Sequence, residues 1–240
     1  MCGRFTITMT FEELLLRFYI DEADNSFYLP RYNVAPMQVI PAIINDGSRN
    51  RLGPLRWGLV PNWAKDQRKA GGMINAKAET LLEKPSYRNL VYRKRCIIPA
   101  DSFYEWKAIG SKKQPMRFMM REEGIFSMAA LFDRWVNPED GEKISTFSII
   151  TTTPNSLVSD VHDRMPVILR PEDEAYWLDR HETNPDKLLP LLKPYPESDM
   201  KRYAVSSTVG SVKNDSPACI AQVEELKAPE DESSEQLYLF

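Results

Sequence analysis

Cysteine stands at position 2, between Met1 and Gly3. Removal of the initiator methionine, usual before a small second residue, leaves Cys2 with both a free α-amine and a thiol. Such a 1,2-aminothiol captures aldehydes or attacks acyl carbons. An α-amine has a pKa of roughly 7.7–8.0, so a useful fraction is neutral near pH 7, unlike a lysine amine near about 10.4. It adds to a carbonyl and loses water to give a Schiff base. The thiol of the same residue then closes a five-membered ring, a step whose effective molarity reaches about 10⁵ M or more when well oriented. A cysteine near a chain start is also often inert, so Cys2 alone does not decide.

Other groups could serve proton transfer or anion binding. Glu105 lies in FYEW, and apolar company raises a carboxyl pKa towards neutrality; the same pattern fits an outward-facing strand glutamate. Nine basic residues fall between Ala64 and Arg95: Lys65, Arg68, Lys69, Lys77, Lys84, Arg88, Arg93, Lys94 and Arg95. Only Asp66, Glu79 and Glu83 oppose them. Such a run can track phosphates, with Trp57 or Trp63 as a base-stacking face; it also fits a solvated face with tryptophans in the core.

The elements that would position these groups are mostly strands. Phe5–Met9 alternates and is β-branched. Thr10 and Glu13 form a capping-box pattern ahead of Phe11, Leu14, Leu15 and Phe18 at helical spacing. Strand-like runs follow at Gln38–Ile44, Arg95–Ile98, Ser102–Lys107, Met116–Met120, Ile125–Phe132 and Thr146–Thr152, with a late one at Tyr203–Ser207. Pro171 and Glu172–Leu178 suggest a second helix. Asp186–Leu192 suggests a third, interrupted by Pro190. Strands outnumber helices and do not alternate with them. The fold class expected is therefore α+β: one domain with a mainly antiparallel, barrel-like β core and a few flanking helices.

Composition sets further bounds. The chain has 240 residues, 42% hydrophobic and 27% charged, as in ordinary globular proteins. No apolar stretch of about 18 residues exists for a membrane span, and the N-terminus lacks a signal-peptide pattern. Cys2, Cys96 and Cys219 are odd in number and widely spaced, which favours a reducing cytoplasm over a disulfide framework. With only His162 and His181 and no CxxC, neither a metal site nor a cofactor is expected. Net charge is −3, but Val223–Phe240 carries −5, leaving +2 on residues 1–222. The overall charge thus does not exclude a nucleic-acid partner.

Six segments in order, MCGRF, RYNVAPMQ (31–38), LRWGLVPNWAKD (55–66), INAKAET (74–80), RCIIPADSFYEWK (95–107) and VHDRMPVIL (161–169), resemble the SOS-response-associated peptidase family. The likeness spans nearly all of residues 1–220. It implies a protein that binds single-stranded DNA carrying an abasic site, or DNA at a single-to-double-strand junction. It further implies covalent attachment of Cys2 to the abasic sugar as a thiazolidine, which shields the lesion. By this resemblance Cys2, Asn75, Glu105 and His162 are catalytic. Asn75 would bond the sugar or hold the amine and Glu105; its other reading is a turn residue. His162 would protonate the sugar ring oxygen and aid reversal; its other reading is structural. Arg4, Asn33, Lys77 and Arg88 would contact phosphate or sugar, and Trp63 is counted with them. Lys77 stands where arginine is common, losing the bidentate fork, and Asp101 where glycine is frequent. The family name implies a peptidase, read here as self-removal of Met1.

Residues 1–222 are expected to form the working domain and 223–240 an acidic disordered tail. The tail ends in Gln236-Leu237-Tyr238-Leu239-Phe240, similar to peptides by which bacterial proteins dock on the replicative sliding clamp. Gln236, Leu237, Leu239 and Phe240 would make that contact; a tail that folds back or stays disordered is the alternative. A cytoplasmic, nucleoid-associated monomer is expected. Two rival functions remain: an N-terminal-nucleophile amidohydrolase using Cys2 on an amide, and a noncatalytic module for single-stranded DNA.

Overall fold

The computed structural model describes residues 2–21, 23–67 and 72–227. Arg68, Lys69 and the peptide with Gln236, Leu237, Leu239 and Phe240 lie outside the described residues. Helix α1 (Phe11–Arg17) starts as its sequence dictates: the Thr10 hydroxyl accepts from Glu13 N at 3.2 Å, and Glu13 accepts from Thr10 N at 2.6 Å. Among the described residues the other α-helices are α2 (Leu90–Arg93), α3 (Ser156–Ser159), α4 (Pro171–Leu178) and α5 (Pro185–Leu188).

Strands dominate. A barrel is closed by β3 (Val39–Asn45), β4 (Asn50–Trp57), β6 (Arg95–Ala100), β9 (Phe126–Val136) and β10 (Lys143–Thr152). Its pairings run β10–β4–β3–β6–β9 and back to β10. All are antiparallel except β10–β4. Strand β5 (Asn75–Lys77) joins β10, also in parallel. A second, antiparallel sheet has the order β13–β8–β7–β1–β2, comprising Met200–Ala204, Lys112–Met120, Ser102–Ile109, Phe5–Ile7 and Arg31–Val34. Short strands β11 (Met165–Pro166) and β12 (Ile168–Leu169) pair with β10 and β9.

The sheets share one core. Phe5 of the second sheet packs on Trp57 of the barrel with ring centroids 5.2 Å apart, and Trp57 stacks on Phe147. Trp57 is fully buried and its indole N–H donates to Ile74 O at 2.9 Å, so it is a core residue rather than a stacking platform. On the other face of β7, Tyr104, Val205, Val209 and Cys219 make a smaller cluster.

The α+β, mainly antiparallel architecture matches expectation, with differences in detail. Strands β2, β4 and β5 lie in segments with no strand expectation. Gly53 and Pro54 conceal β4; Pro54 is tolerated because β10 joins β4 only at Arg56 and Trp57. The late strand ends at Ala204, because the Ser206 hydroxyl caps a 3₁₀ turn at Ser207–Gly210. Beyond α5 the chain tightens into a 3₁₀ turn at Leu189–Leu191, where Pro190 has no N–H to extend the helix. Among the described residues no helix is long and apolar enough to cross a membrane.

Candidate active site

The start of the chain is pinned by β-pairing. Phe5 lies opposite Phe103 and Thr6 opposite Ser102, and Tyr104 N donates to Arg4 O at 3.0 Å. Antiparallel continuation brings Gly3 alongside Glu105, so Cys2 enters the region between the two sheets. Cys2 is fully buried. Its carbonyl accepts the Asn75 Nδ2–H at 2.9 Å.

Asn75 opens β5, set against Ile149 of β10. Alternation along Asn75-Ala76-Lys77 buries Ala76 and puts Asn75 and Lys77 on the other face. The Tyr87 hydroxyl donates to Asn75 O at 3.1 Å, fixing the strand from outside. Asn75 Oδ1 is buried without a hydrogen-bond partner.

Glu105 shares its β7 face with Phe103 and is 3% exposed, so it points inward. Burial pushes its carboxyl up to about 7. Burial also drives the Cys2 thiol far above its ordinary range, reinforced by Glu105. The thiol is therefore protonated at rest, beside a carboxyl that exchanges protons at neutral pH.

His162 follows α3, whose Asn155 side chain caps Val158 N at 3.1 Å; His162 N continues to Val158 O at 2.9 Å. Its Nε2 lies 3.9 Å from Glu105 Oε2. Nδ1 accepts the Arg164 backbone N–H at 3.0 Å, a bond that favours the neutral form with its proton on Nε2, towards Glu105, while Asp163 Oδ1 also lies 3.0 Å from Nδ1. Burial lowers the imidazole pKa, partly offset by Asp163.

One pair had no sequence-based expectation. Arg164 grips Glu79 with two bonds of 2.8 Å and donates to Thr151 O at 2.6 Å. Glu79 lies in the 3₁₀ turn just after β5, so this pair ties the segment bearing Asn75 to the loop bearing His162. Both residues lie inside the INAKAET and VHDRMPVIL segments, but no local spacing shows that they meet.

The residues expected at DNA fall into two groups. Lys77, Arg88 and Trp63 are exposed, Trp63 at 64%. The segment bearing Trp63 is held to β9 by Asn62 N on Asp133 and by the Trp135 indole on Ala64 O. Arg4 and Asn33 instead bind protein. Arg4 donates to Asn33 Oδ1, Val209 O and Gly210 O. Asn33 is fully buried, and its Nδ2 holds the carbonyls of Val209, Ser211 and Asn214. Asp101 accepts from the hydroxyls of Thr6 and Thr8 and fastens β1 to the β6–β7 turn.

A family model described as SOS response associated peptidase (SRAP) matches residues 1–212. The chain is 54% identical over 222 residues to the abasic site processing protein YoqW of Bacillus subtilis, covering 92% of this chain and 99% of YoqW. It is 34% identical to the abasic site processing protein HMCES of Gallus gallus, covering 82% of this chain and 67% of that one. A crystal structure of a Bacteroides thetaiotaomicron protein superposes with a TM-score of 0.84 at 30% identity, over 93% of this chain and all of the other.

Proposed function

Because the chain belongs to the SOS response associated peptidase family, we propose that it processes abasic sites in single-stranded DNA by covalent capture on Cys2. The relatives named as abasic site processing proteins support the substrate. The observation that carries the chemistry is the buried Cys2, held by Asn75 beside a carboxyl that titrates near 7.

The reaction starts once Met1 is removed. The neutral Cys2 amine adds to the open-chain sugar aldehyde, and water leaves to form an imine. To open the sugar ring, Glu105 takes the proton of the C1 hydroxyl as the His162 Nε2–H donates to the ring oxygen, and Glu105 then passes its proton back to His162, so both groups end as they began. The Cys2 thiol proton passes to Glu105, the sulfur bonds to the imine carbon, and the imine nitrogen is protonated. The product is a thiazolidine, and water is the only species lost. Asn75 fixes the Cys2 backbone and turns its free Oδ1 to the incoming sugar or amine. Lys77 and Arg88 hold phosphates, and Trp63 offers an exposed ring for a base. Arg4 and Asn33 shape this surface by holding the 209–214 segment.

Residues 1–222 are the working unit in this reading. The terminal Gln236, Leu237, Leu239 and Phe240 dock the protein on the sliding clamp, a contact that deletion of 236–240 abolishes. The central test mixes the protein with a single-stranded oligonucleotide carrying one abasic site. A shifted band on a denaturing gel appears for wild type and vanishes for Cys2→Ala. An equal band from Cys2→Ala contradicts the proposal.

A further inference from the structure

The basic run that the sequence presents as one stretch is divided by the fold. Lys77 lies on β5 beside Asn75, whereas Arg93, Lys94 and Arg95 reach the end of the barrel where β6 begins. There a cavity of about 450 Å³ opens between β3, β4, β9 and β10. It touches β10 at Ser145, whereas Asn75 is set against Ile149. Four residues of strand separate these levels by about 13 Å.

The cavity has a cationic rim and an apolar floor. Arg93, Lys94, Arg134 and Arg180 line it, over Ala42, Leu55 and Phe132. Lys94 Nζ sits 5.3 Å from the Phe132 ring centroid. Arg95, also at the wall, is committed to backbone carbonyls, among them Trp177 O and Val91 O. Asp46, the one carboxylate lining the cavity, is already paired with Arg51 at 2.6 Å. Arg180 donates to the Asp46 carbonyl at 2.9 Å and, among the described residues, pairs with no carboxylate. Gathered like charges repel one another, and an anion among them removes that cost. A second cavity, of about 400 Å³, shares Asp46, Arg93 and Arg180 and continues past His181 and Thr183. The two together have room for more than one phosphate.

We propose that this groove binds a segment of single-stranded nucleic acid, its phosphates on Arg93, Arg134 and Arg180 and a base on the floor at Phe132 and Leu55. It is a second strand contact, separate from the Cys2 centre, and it goes beyond the covalent reading without depending on it. It lets the protein hold undamaged strand while the Cys2 end meets the lesion.

The test uses the full chain, an undamaged fluorescein-labelled thymidine oligonucleotide and anisotropy over a salt series. Arg134 and Arg180 are exposed, so the double variant Arg134→Gln/Arg180→Gln spares the core; Lys94→Gln serves as an independent single variant. Loss of two phosphate contacts is expected to weaken binding roughly tenfold and to flatten the log–log salt slope by about 1.4. Lys94→Gln weakens binding in the same direction. Crosslinking to a short abasic oligonucleotide stays within twofold of wild type. Unchanged affinity and slope in both variants would overturn the proposal. The mononucleotide dTMP, stabilising wild type against heat as strongly as the oligonucleotide does, would overturn the assignment to a strand.

Discussion

The side-chain amide of Asn75 holds the backbone of Cys2: Nδ2 donates to the Cys2 carbonyl at 2.9 Å, while Oδ1 stays buried and unpartnered. A buried acceptor left open costs stability unless something fills it, and this one lies beside the residue that reacts. Asn75→Ala is therefore expected to cost about 1 kcal/mol of stability, one hydrogen bond. Its effect on crosslinking rate is much larger, about 100-fold, because misplacing the nucleophile affects every later step. Single-turnover gel kinetics beside a urea melt separate the two effects. A rate loss no greater than the stability loss predicts would show that Asn75 is only structural.

Glu105 sets the pH dependence. Its carboxyl sits near 7 because it is buried. As the base that accepts the thiol proton, it makes the crosslinking rate rise with pH through about 7. Glu105→Gln lowers the rate by about 10²–10⁴ and removes that limb. Rates of both proteins from pH 5.5 to 8.5 provide the check.

The same shift has a sign for stability. The folded pKa lies above the ordinary glutamate value, so the folded state binds the proton more tightly than the unfolded chain does. The benefit is complete below the unfolded pKa and is lost as pH rises through about 7. Glu105→Gln should therefore gain stability relative to wild type between pH 5 and pH 8, by up to about 3 kcal/mol. Urea midpoints at both pH values measure this gain, and a constant difference would place the titration elsewhere.

The Arg164–Glu79 pair acts through His162. Arg164→Gln keeps a backbone N–H for Nδ1 but releases the loop from β5. Nitrogen-15 spectra of wild type are expected to show the Nε2–H form, with a pKa below the usual histidine value. Arg164→Gln and Glu79→Gln should each mix the tautomers and raise that pKa. A purely structural pair would lower stability and leave the imidazole signals in place.

Much of the fold was legible locally. Thr10 and Glu13 announced the start of α1, and strand-like runs announced β6, β9 and β10. Strand β4 was hidden by Gly53 and Pro54, and β5 by being only three residues long; what makes each a strand is pairing across the chain, β4 with β3 and β5 with β10. The site was legible as residue types. FYEW by itself leans towards an outward-facing glutamate, and only the β1–β7 register decides that Glu105 faces in. Asn33 showed the limit most clearly. The resemblance implies a phosphate or sugar contact for it, and the structure adds that its amide holds three carbonyls about 180 residues further along the chain, a contact no local pattern carries.

Mass analysis of the unreduced conjugate between the native protein and an abasic oligonucleotide tests the covalent account most directly. The account predicts a chain lacking Met1, a conjugate mass equal to both partners less one water, and an adduct mapped to residue 2 with no free thiol there. Retained Met1 in the conjugate, or an adduct on any other residue, would contradict it.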